Sequence, residues 1–277
     1  MHPVLFHIFS FPIHAYGFML ALSFLFGIWL GVYRAKQANL DPNVVTDVGF
    51  YLILSAIIGA RLYYVFLHWA DFSGNLVAIF NPFQGDEIGI GGLVMYGGFI
   101  GAILAGVVYF RVKKFPFLPY ADAVAPGIGL GIFLTRIGCF LNGCCYGAGA
   151  HGPFSVSFPL ISPAGMYQKH VHASALYASQ LFESAGGLAI AVAILLLSRR
   201  KWFDGFLFYL TGLLYTILRF AVDFSRFYGA GEKIGPLSHN QIVCIVLFIV
   251  FGGLILRQFM ATDDPAMKVP SGHGPQT

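Results

Sequence analysis

The sequence predicts an all-α integral membrane protein, a bundle of about seven transmembrane helices with the N-terminus outside and the C-terminus in the cytoplasm. Three observations predict it. First, only 10% of the 277 residues are charged and 57% are hydrophobic, with a mean hydropathy of +0.75. Soluble domains carry about 25% charged residues, so a chain this poor in charge cannot cover a water-facing surface. Second, apolar runs recur at 13–33, 48–68, 92–111, 120–141, 174–198, 203–224 and 238–257, each near the roughly 20 residues a span requires. A β-barrel would instead alternate in segments of about ten residues. Third, the lysines and arginines between the runs are unevenly shared. Arg34, Lys36, Arg111, Lys113, Lys114, Arg199, Arg200, Lys201, Arg257 and Lys268 fall on one side, and only Lys169, Arg226 and Lys233 on the other. The richer side is cytoplasmic.

Taken in order, residues 1–12 hold no Lys or Arg before the first run, so a cleavable signal peptide is not expected. The connections at 111–120 and 198–203 are short and make helical hairpins. Segments 69–91 and 142–173 carry Pro82, Pro153, Pro159, Pro163, Asn75, Asn81, Asn142, Asp71 and Asp86 and are long enough to shape a site. Beyond Ala261 the chain turns polar and rich in Gly and Pro, which predicts a disordered cytoplasmic tail over 261–277 after a single transmembrane domain over 1–260. The 34 glycines suit close helix packing in lipid. A net charge of +4 is read through topology, and no nucleic-acid partner is expected.

Three arginines remain inside the runs. Arg61, Arg136 and Arg219 lie on the second, fourth and sixth, which share one direction. Each falls about 13 to 16 residues after its run begins, or about 20–24 Å at 1.5 Å per residue. The odd runs return the opposite way, so Tyr16, Tyr96, Gln180 and Glu183 near their starts share that outer layer, as does Asp223 one turn after Arg219. Singly, each arginine has a structural reading: it snorkels to the interface, or Asp223 neutralises Arg219 at i+4. Three at one depth, each costing about 2.5–3.5 kcal/mol on the insertion scale, point to a shared ligand. The planar guanidinium fork suits phosphate, so the ligand is a phospholipid headgroup entering from the outer leaflet. A transporter or channel is the competing class; it calls for charges at several depths or a broken midplane helix.

The cysteines give no metal signal. Four zinc ligands at a recognisable spacing are lacking around Cys139, Cys144 and Cys145, so they read as small apolar packing, as does Cys244. His151, His170 and His172 read as solvated loop residues. No cofactor is expected.

The stretch Thr135-Arg-Ile-Gly-Cys-Phe-Leu-Asn-Gly-Cys-Cys-Tyr-Gly147 resembles the signature of bacterial prolipoprotein diacylglyceryl transferases, G-R-x-x-N-F-x-N-x-E-x-x-G. Further matches follow in family order: Ala15-Tyr-Gly17, Gly59-Ala-Arg-Leu62, Gly91-Gly-Leu-Val-Met-Tyr-Gly-Gly98, Ala178-Ser-Gln-Leu-Phe-Glu183, Arg219-Phe-Ala-Val-Asp223 and Leu237-Ser-His-Asn-Gln241. The departures mark a divergent member. Thr135, Cys139 and Cys144 replace the signature's first Gly, its first Asn and its Glu, and Tyr96 stands where many members have His.

The resemblance implies a transferase of the bacterial inner membrane, with its site facing the outer half of the bilayer. The diacylglyceryl group of phosphatidylglycerol passes to the cysteine thiol of a lipoprotein precursor bearing a lipobox, forming a thioether and releasing glycerol phosphate. It implies that Arg136 and Arg219 hold the phosphate, with Arg61 also on the headgroup. Tyr16, Asn142 and Gln180 orient headgroup oxygens, and Glu183 and Asp223 hold the arginines. Gly91, Gly92, Gly97 and Gly98 let the backbone approach the ligand. Tyr96 takes the histidine's place; a tyrosine is a poor base near neutral pH, so hydrogen bonding stands beside a base role. An inactive relative that binds lipid or precursor is the remaining alternative.

Overall fold

A computed structural model describes residues 3–9, 11–72, 74, 83–84, 87–88, 94–200, 202–228 and 233–263. Among the described residues nine helices are formed: α1 (Ala15–Gln37), α2 (Pro42–Leu67), α3 (Trp69–Phe72), α4 (Met95–Lys113), α5 (Phe117–Asn142), α6 (Pro163–His170), α7 (Ser179–Leu197), α8 (Phe206–Asp223) and α9 (His239–Asp263). All except the short α3 and α6 are long and apolar enough to cross a membrane. Gly91, Gly92, Lys201 and residues 264–277, which include nearly all of the expected tail, lie outside the described residues.

Burial is inverted relative to a water-soluble fold. Trp29, Phe66, Phe99 and Ile249 are exposed, whereas Arg61, Gln180, Glu183, Asp223 and Gln241 are buried. With lipid as solvent, the polar groups are the ones that must find partners inside the protein.

The chain forms two compact units, one of Val32–Tyr120 and one of Met1–Gly31 with Ala121–Thr277. In the first, α2 begins six residues before the apolar run because Asp41 caps it, accepting from Asn43 N at 2.9 Å, with Pro42 in the first turn. Helices α2 and α4 meet backbone to backbone. A Cβ built on Gly97 would lie 2.3 Å from the Gly59 carbonyl oxygen, and one on Gly101 would lie 2.4 Å from that of Ser55. Small residues four apart allow such an approach, which apolar burial alone cannot drive in lipid.

In the second unit, α8 packs against α7 and α9. Ala125, Ile190, Ile194, Phe206 and Leu207 form a core joined by Leu214, Leu218 and Ile255. The start of α8 has a long-range cap: Asp122 on α5 accepts from Gly205 N at 2.7 Å and Phe208 N at 2.8 Å. It thereby satisfies amides that a helix N-terminus leaves free and puts a carboxylate at the positive end of the helix dipole. The segment between α5 and α7 folds as α6 and a three-stranded sheet, with Ala175–Tyr177 between Gly149–Ala150 and Ser155–Val156. Leu176 of its central strand is buried in a cluster with Phe158 and Ala164.

Candidate active site

The second unit gathers most of the predicted polar residues into one network. Arg136, near the end of α5, donates from Nη2 to Glu183 Oε1 near the start of α7 at 2.8 Å. The same oxygen accepts from the Tyr215 hydroxyl at 3.1 Å. Tyr215 lies one turn before Arg219 on α8, so they share a face. Arg219 pairs with Asp223 at 3.1 Å and donates to the Tyr228 hydroxyl at 3.4 Å.

Asp223 is the second hub, accepting from the hydroxyls of Tyr228 and Ser238. Ser238 caps α9 reciprocally: its Oγ accepts from Gln241 N at 3.0 Å, and Gln241 Oε1 accepts from Ser238 N at 3.0 Å. This is a capping box. The start of α9 is therefore fastened to the carboxylate that holds Arg219.

Glycines set the loop after α5. Gly143 has φ +70°, a left-handed conformation that suits glycine, and a Cβ there would come within 2.5 Å of Ser162 Cβ. Gly147 is pressed between α7 and the end of α8; its Cβ would lie 2.4 Å from the Ser225 carbonyl oxygen and 2.5 Å from Ser179 Oγ. Ser179 and Ser225 share a hydroxyl–hydroxyl hydrogen bond of 2.8 Å. Gln180 donates from Nε2 to the Cys144 carbonyl at 2.8 Å, fixing the loop on α7. Asn142 ends α5 at this loop, half-buried. Tyr16 is close by: a Cβ on Gly138 would come 3.3 Å from Tyr16 Cα.

Three buried polar atoms here have no hydrogen-bond partner among the described residues: Arg219 Nη1, Arg226 Nε and Gln180 Oε1. Buried donors and acceptors are nearly always satisfied. Two unused donors and one unused acceptor around one carboxylate network are the groups a bound polar ligand would engage.

Cys139, Cys144 and Cys145 also meet here, with all three sulfurs within 4.8 Å of one another. Arg136 Nη1 donates to Cys139 Sγ at 3.8 Å. Hydrogen bonds from Cys139 and Cys144, with Arg226 and Arg136 adding positive charge, hold the Cys145 thiol below its ordinary range against the opposing effect of burial.

A match to the family described as prolipoprotein diacylglyceryl transferase runs over residues 3–257. The chain belongs to that family. It is 30% identical over 256 residues to a phosphatidylglycerol–prolipoprotein diacylglyceryl transferase of Clostridium novyi, covering 92% of this chain and 95% of the relative. A transferase of the same name from Nitratidesulfovibrio vulgaris is 34% identical over 262 residues, 91% of this chain and 92% of the relative. That of Finegoldia magna is 33% identical over 270 residues, 95% of this chain and the relative's full length. With seven candidate spans among the described residues, the chain is a multi-pass bacterial membrane protein.

The remaining predicted residues belong to the Val32–Tyr120 unit. Arg61 is buried on α2, its guanidinium carbon 5.7 Å from the centroid of Tyr64 and 5.4 Å from that of Phe72. Gly97 and Gly98 are buried where α4 meets α2, so packing alone accounts for glycine there. Tyr96 is 69% exposed on the first turn of α4.

Sequence reasoning missed Tyr215, Tyr228, Ser238 and Arg226. Tyr215 carried a usable signal, its i, i+4 relation to Arg219. Arg226 was counted as a loop charge, and only the fold brings it to the cysteines. The cysteines themselves, read as packing, form a cluster that neither spacing nor composition discloses.

Proposed function

We propose that this chain transfers the diacylglyceryl group of phosphatidylglycerol to the cysteine thiol of a lipoprotein precursor, with Arg136 and Arg219 holding the phosphate. The observation that carries this reading is the unpartnered pair of buried atoms, Arg219 Nη1 and Gln180 Oε1. A phosphodiester oxygen would accept from the first, and a headgroup hydroxyl would donate to the second. Phosphatidylglycerol offers both groups.

The reaction forms one bond and breaks one. The precursor's sulfur bonds to the glycerol carbon that bears the phosphate ester, and the carbon–oxygen bond opens. Glycerol phosphate leaves with the electron pair, and the thiol proton passes to a base. Two guanidinium groups beside the phosphate would stabilise the charge that grows on the leaving group, in a site where lipid excludes water. The thiolate is the competent nucleophile, and positive charge favours it as well.

Glu183 and Asp223 hold the arginines in place, so their planar forks are oriented before the lipid arrives. Tyr16 and Asn142, beside the same network, orient headgroup oxygens with Gln180. We assign Tyr96 to the precursor's thiol, as base for its proton or as hydrogen-bond donor to its sulfur. Arg61 is a further headgroup contact.

The test is product formation from phosphatidylglycerol vesicles and a lipobox peptide by the purified protein. Mass spectrometry should find the peptide heavier by one diacylglyceryl group in thioether linkage, with glycerol phosphate released in equal amount. An unmodified peptide with lipid still bound would instead indicate an inactive binder. The outer-leaflet placement, in the inner membrane, is tested separately by reporter fusions. These should report the loops near Lys113 and Arg200 as cytoplasmic and that near His151 as external; an internal His151 segment would invert the topology.

A further inference from the structure

The transfer reaction uses the precursor's thiol and leaves three of the protein's own sulfurs without a role. We propose that Cys139, Cys144 and Cys145 form a trigonal thiolate site for a thiophilic metal ion, of which cuprous copper is the best fit. The three sulfurs already lie within 4.8 Å of one another. At a metal–sulfur distance of about 2.3 Å, three sulfurs around a planar ion would stand about 4.0 Å apart, so an inward shift of less than about 1 Å completes the site.

Three features favour a metal site over simple packing. The thiols share a polar pocket with Arg136, which donates to Cys139 Sγ at 3.8 Å, whereas a packing cysteine is placed among apolar side chains. Cys145 holds a left-handed backbone at φ +59°, which a non-glycine residue adopts at a cost of order 1–3 kcal/mol. The chain has already returned to Cys139 one residue earlier, where Cys144 N donates to the Cys139 carbonyl at 3.0 Å. Positive charge is also at hand to balance an anionic metal–thiolate complex. Arg226 pairs through its backbone with Gly147, two residues after Cys145, and its buried Nε has no hydrogen-bond partner among the described residues.

The donor set selects the ion. No fourth His, Cys, Asp or Glu joins the three among the described residues. Structural zinc is nearly always four-coordinate, whereas an all-sulfur set suits the softer cuprous ion. Binding forms three metal–sulfur bonds and releases three thiol protons to water, with no change of oxidation state. This inference is independent of the proposed transfer activity.

The experiment uses the full-length protein in detergent, reduced and anaerobic, competing for Cu+ against a chromophoric cuprous chelator. One Cu+ per chain is expected. Changing Cys139, Cys144 or Cys145 singly to Ser should weaken binding beyond the roughly 10–100-fold that loss of an outer-shell partner costs a metal site. Cys244→Ser, a buried position on α9 outside the cluster, should leave binding unchanged. Should the serine variants misfold, alkylation of the wild-type protein counted by mass spectrometry decides the matter. Cu+ should protect three of the four thiols, and a stronger chelator should release them. Overturning results are no copper above the level of the triple serine variant, fewer than three thiols protected, or loss of binding in Cys244→Ser.

Discussion

Arg61 is buried and Arg219 half-buried on membrane-spanning helices, and each has its own set of partners. In Val32–Tyr120, Arg61 lies over the faces of Tyr64 and Phe72, where the ring quadrupoles attract its charge. In the other unit, Arg136 and Arg219 are oriented by Glu183 and Asp223, and Arg219 keeps a buried donor without a partner. Position within an apolar run is the same kind of signal for all three. Among the contacts described, Arg61 meets aromatic faces, whereas carboxylates aim Arg136 and Arg219 and leave one Arg219 donor for another anion.

The largest expected effect tests that contrast directly. Arg136→Lys and Arg219→Lys keep the charge and lose the fork that holds two phosphate oxygens. Each should lower transfer on the order of a hundredfold, as loss of a transition-state donor worth about 2.7–4 kcal/mol does. Arg61→Lys should lower transfer less than about tenfold and mainly reduce thermal stability, by about 1 kcal/mol. Equal losses at all three would group Arg61 with the other two, while near-normal activity in the Arg136 and Arg219 variants would end the phosphate assignment.

A smaller effect separates two glycines of one loop. Gly147→Ala must displace the Ser225 carbonyl and Ser179, and should cost about 1–3 kcal/mol of stability. A Cβ at Gly149 meets only the Ala173 Cβ at 3.4 Å, so Gly149→Ala should stay within about 0.5 kcal/mol. Thermal unfolding in detergent measures both, and similar losses would mean that the loop is not pinned at Gly147. The smallest expected effect is on transfer by the Cys139, Cys144 and Cys145 triple Ser variant. Activity should persist at a tenth of normal or better, because the substrate supplies the reacting thiol. A folded but inactive triple variant would give the cluster a chemical part in transfer.

All seven spans were legible in the sequence, because lipid forces each into one continuous apolar stretch. Their ends were less so: the cap at Asp41 starts α2 six residues before the apolar run, a local hydrogen bond invisible to hydropathy. Helix α6 and the strands Gly149–Ala150 and Ser155–Val156 left no periodic trace in 142–173, and Ala175–Tyr177 was hidden inside the 174–198 run, since two- and three-residue strands are too short to alternate. Arg136, Glu183, Arg219 and Asp223 could be named because ionised groups are rare in apolar runs. Tyr228, Ser238 and Arg226 could not, because polar residues in loops are ordinary until the fold turns them inward.

The cap at the start of α8 also acts as a ruler. Asp122 sets a common zero mark for α5 and α8 by binding Gly205 and Phe208 across 83 and 86 residues of chain. From that mark, Arg136 lies fourteen residues along α5 from Asp122, and Arg219 lies fourteen beyond Gly205, about 21 Å in each case at 1.5 Å per residue. Counted from that one origin, the two arginines stand at equal residue offsets along their helices. Inserting a single residue between Gly205 and Arg219 would raise one arm by about 1.5 Å and turn it by about 100°, leaving the arginine present in the chain but out of register with its counterpart.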